Sequence, residues 1–197
     1  MTDVIDTLAG ITPGSPLDAI RNQRLQARNH AQASYDSLFK PSSEADASKL
    51  ERLAIACFVA ALHGRAEMAA FYGTALAEAG APAGWQGAIA AAAGAAKGQG
   101  PYGRYPKGPL SAEDQPGPAC KLGASERAAV GPRLAAAFEH THMLVFHPRD
   151  SAPSYLQTLL DAGWSTTGIV VISQLVAFLS YQIRVVAGLR VLNARSA

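Results

Sequence analysis

From Ser48 onward, apolar residues recur every three or four positions: Leu50, Leu53, Ala54, Cys57, Phe58, Ala61 and Leu62. That spacing lines them along one face of a helix. Gly64 breaks the stripe and a second begins, carrying Met68, Phe71, Tyr72, Ala75 and Leu76. Glu78-Ala79-Gly80 closes it, since glycine enters the left-handed conformation that ends helices without the clash of a Cβ. Gly84 to Gly94 reads as an Ala-rich third helix. Two readings of it stand: a helix deep in a bundle or at an interface, where small side chains allow close approach, or a spacer of high helix propensity.

The remaining pattern is also helical. Ser15-Pro16-Leu17-Asp18 has the Ser cap and first-turn Pro of a helix start, and Ile20, Leu25, Ala31, Tyr35 and Leu38 follow until Pro41 stops the segment. Ser125-Glu126-Arg127 opens a helix that runs to His147 and is stopped by Pro148. A short helix spans Pro153 to Ala162 and ends at Gly163; Ser165-Thr166-Thr167 caps the last and longest one, to near Leu192. No segment alternates with period two for long enough to make a strand. The predicted fold class is all-α. Leu76-Ala77-Glu78-Ala79-Gly80 is echoed by Leu159-Leu160-Asp161-Ala162-Gly163, which predicts two packed hairpins, with chance similarity over so few positions as the alternative.

One stretch is different. Gly98 to Gly123 is dense in Pro and Gly and sustains neither helix nor ladder. Tyr102, Arg104, Tyr105 and Lys107 give it aromatic and basic tips, which suits either a cover over a pocket or a solvated connection. The chain divides into an N-terminal helical extension (1–47), a first helical half (48–96), this loop (97–124) and a second half (125–197), all within one domain of 197 residues.

Composition narrows the partners. Hydrophobic residues make up 49% and charged ones 16%, so apolar surface is expected to be buried against another copy of the chain. A net charge of +2 without a Lys/Arg run argues against nucleic acid. Two cysteines, Cys57 and Cys120, make no disulfide framework, although a bridge between them stays open on sequence alone. Met1 to Asp6 carries acids where a signal peptide needs bases, so the expected compartment is the cytoplasm. The apolar run from Ile169 to Ile183 is interrupted by Ser173, Gln174, Ser180 and Gln182 and is shorter than the ~20 residues of a spanning helix, so it is expected to be a core helix.

Arg52 before an apolar helix, the break Ala61-Leu62-His63-Gly64 and the exit Ala75-Leu76-Ala77-Glu78-Ala79-Gly80 together resemble the carboxymuconolactone decarboxylase superfamily, in its AhpD-like alkylhydroperoxidase and peroxidase-related branch. A second match is Leu160-Asp161-Ala162-Gly163 before a long helix ending in Ala177-Phe178-Leu179-Ser180-Tyr181-Gln182-Ile183-Arg184. These matches cover about half the chain. The resemblance implies an all-helical bundle, assembled as a dimer, trimer or hexamer. Its redox branch uses Cys-x-x-Cys-x-x-x-His after the Gly and a Glu one turn into the preceding helix: the helix start lowers a thiol pKa, and Glu and His relay the proton as a disulfide forms. Residue by residue, those positions hold Leu53 for the Glu, Arg65 and Met68 for the cysteines, and Tyr72 for the His. A thioether forms no disulfide and a guanidinium is no nucleophile. Thiol peroxidase chemistry of the family type is therefore not expected.

The remaining candidates are polar side chains near the same break. Arg65 and Arg184 are candidates to hold a small carboxylate, and His63, Tyr72 or His140 to move protons. Glu139-His140-Thr141-His142 and His147 form a further group, in which His140 and His147, seven apart, share a helix face and His142 points away. No metal site or cofactor is expected, because a metal needs at least three convergent ligands and one helix does not supply them. Two functions follow: a small-molecule pocket of the decarboxylase type without the redox pair, or a catalytically inactive paralogue kept as an oligomeric assembly or regulatory partner. A polar pocket lined by Arg65, Tyr72 and a His would favour the first, a filled apolar interior the second.

Overall fold

The computed structural model describes residues 3–100 and 102–196; Met1 and Thr2 of the acidic start, and Pro101 of the loop, lie outside them. Every regular element among the described residues is helical, and the one backbone pairing of β type is an isolated bridge between Gly103 and Gln115. The all-α expectation holds.

The centre is α4 (Lys49–Leu62), flanked by α5 (Ala66–Glu78), α6 (Trp85–Ala95), α7 (Ala124–Phe146) and α9 (Thr166–Ser196). Ser48 starts it with a reciprocal cap: its hydroxyl accepts from Glu51 N at 3.2 Å while the Glu51 carboxylate accepts from Ser48 N at 2.8 Å. Neighbours on all sides bury nearly all of α4, not a stripe alone, and Ala54, Ala56 and Ala60 let them close in. Phe58 stacks on Phe138 of α7 with ring centroids 4.6 Å apart. At Gly64, φ of 66° turns the chain into α5, a conformation other residues resist. The Ala-rich α6 buries Ile89, Ala92 and Ala93 against α4 and α7, so it is a packed member of the bundle and not a spacer.

Two boundaries differ from expectation. α7 is two helical segments meeting at Gly131 (φ 81°, ψ 162°), because Pro132 has no N–H to donate and displaces the preceding turn. The segment from Ser15 to Phe39 is likewise two helices, α2 (Pro16–Asn22) and α3 (Leu25–Phe39), parted where Arg24 leaves helical geometry. That break allows Arg21 and Arg28 to converge on Asp6 of a further helix, α1 (Val4–Ala9), which the hydrophobic pattern did not announce. α9 is also longer than its apolar run: Thr166–Ala194 has the length and composition to cross a bilayer, with 44% of its most apolar stretch buried inside the fold against α1, α4 and α7.

α8 (Pro153–Asp161) joins α7 to α9 and ends at Gly163 (φ 89°), where Trp164 N donates back to Leu159 O at 3.0 Å. The extension is tied to the centre by Arg52, a nearly fully buried guanidinium that donates to Leu38 O at 2.8 Å and Ala47 O at 2.9 Å. Among the described residues the Pro/Gly loop has one helical element, a 3-10 turn at Pro109–Glu113, and it folds over the end of α7. Tyr102 N donates to Phe146 O at 3.3 Å, Arg104 N to Asp150 Oδ1 at 3.1 Å, and Gly117 lies against the His147 ring so closely that a Cβ there would stand 2.3 Å from His147 Cγ.

Candidate functional site

Three of the four positions where the family resemblance puts its redox residues are buried. Leu53 and Met68 are buried, and Tyr72 is wholly enclosed, stacked on Phe39 at 5.3 Å and set edge-on to Phe71 at 5.1 Å. Its hydroxyl donates to Gln182 Oε1 at 2.5 Å, and burial drives its pKa well above the ordinary range. A neutral phenol sealed in this way cannot reach a substrate. Arg65 precedes α5 and is exposed, facing a separate cleft of about 360 Å³ shared with Glu67, Met68 and Arg190, where Glu67 and Arg190 already form an ion pair. His140 lies on α7 in a third place. The residues singled out from sequence thus occupy three separate environments, with one exception.

The exception is His63 with Arg184. Both line a cleft of about 510 Å³ with Tyr102, Phe146, Pro148 and Arg149, none of them acidic. His63 Nε2 lies 3.3 Å from Ser180 Oγ, and Arg184 donates to Ser180 O at 2.9 Å. Ser180 thus spans the two groups. Arg149 donates to Tyr102 O at 2.8 Å, with its guanidinium 3.7 Å from the centre of the Tyr105 ring. Among the described residues neither Arg149 nor Arg184 has a carboxylate within ion-pairing distance. Arg149 carried no signal in the sequence beyond following a helix-stopping Pro. It reaches the site only because the loop and the end of α7 fold back together.

Burial, with the charges of Arg184 and Arg65 nearby, pushes the His63 pKa from 6.5 down to about 4. At pH 7 the ring is neutral, able to accept or donate a proton. On acidification the unfolded chain takes up this proton first, so the stability contribution is complete above pH 6.5 and is lost as pH falls toward 4. After screening at this partly exposed position the loss is about 1 kcal/mol. Urea unfolding at pH 7.5 and 4.5 should show it, and His63→Gln should lower stability less between the two pH values than the parent chain does.

The histidines of α7 are arranged differently from their expected spacing. His147 leaves helical geometry (φ −145°, ψ 57°), which turns its ring toward His142, with centroids 5.9 Å apart. His140, His142 and His147 then line one cavity of about 200 Å³ under the Pro/Gly loop, together with Cys120, Met143 and Glu139. Both cysteines are free: burial raises Cys57 to about 12, and burial with Glu139 nearby raises Cys120 to about 11, so each is a protonated thiol near neutral pH. Cys57, on the buried face of α4, is the inert thiol its apolar neighbours suggest. The chain matches no family profile, no curated protein and no solved structure.

Proposed function

We propose that this protein is a redox-silent relative of the carboxymuconolactone decarboxylase and alkylhydroperoxidase-like proteins, and that it binds a small carboxylate in the His63–Arg184 cleft. The supporting observation is that Arg149 and Arg184, both without a carboxylate partner among the described residues, line the same cleft beside a neutral imidazole. A guanidinium matches a carboxylate in two-pronged geometry, and an uncompensated pair of them attracts an anion. Arg184 keeps the role expected of it, Arg149 takes the place expected of Arg65, and His63 is the group able to move a proton on the bound molecule. Tyr72 and His140 have no part in this cleft.

Calorimetric titration with a panel of small mono- and dicarboxylates tests the reading. One or more should saturate a single site, and Arg184→Gln should weaken it roughly 10- to 100-fold, the effect of losing a hydrogen bond between charged groups. Absence of saturation by any member, or unchanged affinity in the variant, would refute it. Hydroperoxide reduction with a dithiol donor is expected to be absent; turnover that disappears in Cys57→Ser or Cys120→Ser would overturn the redox-silent half.

A second reading, an assembly partner without catalysis, is favoured by the sealed interior around Tyr72 and by an open groove of about 820 Å³ between α3 and α9. Small residues such as Ala27, Ser34 and Ala177 line that groove beside Phe178 and Tyr181. Sedimentation that finds an oligomer, with no carboxylate bound, would select this reading.

A further inference from the structure

We propose that the cavity under the Pro/Gly loop is a site for a borderline-to-soft transition-metal ion, zinc or monovalent copper, held by His142 Nδ1 and His147 Nε2 and completed by Cys120 or His140. His142 is 1% and His147 4% exposed, and both ring atoms lack a hydrogen-bond partner. Buried polar atoms are almost always partnered, so these orphans point to an absent ligand. The chemistry of their outer nitrogens specifies its kind. His142 Nε2 lies 3.1 Å from Ala96 O; a carbonyl only accepts, so Nε2 carries the hydrogen and Nδ1 is a bare lone pair. His147 Nδ1 lies 3.2 Å from the Asp150 carboxylate without the alignment of a hydrogen bond, and that negative charge favours the hydrogen on Nδ1, leaving Nε2 bare. A carbonyl and a carboxylate behind two imidazoles is the outer arrangement that metal-binding histidines use. Two bare lone pairs in one buried cavity favour an electron-pair acceptor, and a single metal ion accepts both at once.

The spacing agrees. Two imidazole nitrogens each about 2 Å from one ion put the ring centroids about 5 to 6.5 Å apart, depending on the angle at the metal. The observed separation is 5.9 Å. Among the described residues no three His, Cys, Asp or Glu side chains already enclose an ion, so the third donor arrives by movement. Cys120 lies on a segment without regular structure, and both ring nitrogens of His140 are unpartnered. A thiol from Cys120 would release its proton to solvent on binding. Glu139 is excluded as a donor because Lys121, Arg127 and Leu122 N already occupy its oxygens. Imidazole with thiol and thioether (Met143) lining selects zinc or monovalent copper over magnesium or calcium. The site shares no side chain with the carboxylate cleft, so each stands or falls separately.

The test uses the full chain stripped with a chelator and titrated with zinc, monovalent copper or cobalt(II) against a chromophoric competitor. One ion per chain is expected, with affinity lowered at least tenfold in His142→Asn and in His147→Asn, and 10- to 100-fold in Asp150→Asn through loss of the second-layer contact. With cobalt, a sulfur-to-metal absorption band that vanishes in Cys120→Ser identifies the thiol as third donor. No such band, with affinity lost in His140→Asn, identifies the imidazole. Failure to retain any ion, or retention unchanged by the His142 and His147 substitutions, overturns the proposal. Should those variants not fold, unchanged affinity in Asp150→Asn, whose side chain is partly exposed, overturns it equally.

Discussion

Phe58→Ala is expected to reduce the unfolding free energy by about 3–5 kcal/mol, the range for removing a fully buried aromatic and leaving a cavity. Phe58 and Phe138 are both wholly buried and stacked, and they join the central helix to α7. Few neighbours can collapse into the space, because α4 is held by helices on all sides. Phe58→Leu, which retains most of the volume, should lose clearly less. Urea unfolding followed by circular dichroism measures both. A loss below about 1 kcal/mol for the alanine variant would mean that the two halves are not joined through these rings.

Asp6→Ala carries a smaller loss, about 1.5–3 kcal/mol, for a different reason: it removes the carboxylate that two largely buried guanidiniums share as a hydrogen-bond acceptor. The Asp6 side chain is 7% exposed and accepts from Arg21 and Arg28, whose side chains are 9% and 20% exposed. Arg21 also reaches Asp3, and Arg28 reaches Asp18, each at 2.7 Å, so the two guanidiniums keep one acid apiece but lose the shared one. The network fastens α1, α2 and α3 together, and α1 in turn lies on α9, where Arg190 donates to Leu8 O. Amide exchange should therefore rise in α1–α3 of the variant while α4 stays protected. Uniform exchange throughout, or stability unchanged, would refute the idea of a separately fastened extension.

Legibility in the sequence differs between elements. The α4–α5 break at His63 and Gly64 was legible because a glycine that interrupts two helical stripes marks the place where the chain must turn, and Gly163 was legible likewise. The break between α2 and α3 was not, since nothing in Asn22-Gln23-Arg24-Leu25 forbids a continuous helix; the pull of Asp6 on two arginines decides it. Leu53, Arg65, Met68 and Tyr72 were singled out only by a family resemblance, and only burial shows that Tyr72 is sealed while Arg65 faces another cleft. Helical spacing also set His142 apart from His147, until the backbone at His147 left the helix and turned the ring.

By itself the sequence determined the helical class, most helix ends and the lack of a Cys-x-x-Cys pair. Each of these depends on local period, caps and residue identity, which neighbouring residues alone specify. The tertiary structure decided which charges meet: Arg149 with Arg184 and His63 in one cleft, and His142 with His147 beneath the loop. The first joins residues far apart in the chain, the second needs the backbone at His147 to leave the helix, and both depend on packing angles and the course of a Pro/Gly segment, which no short-range pattern encodes.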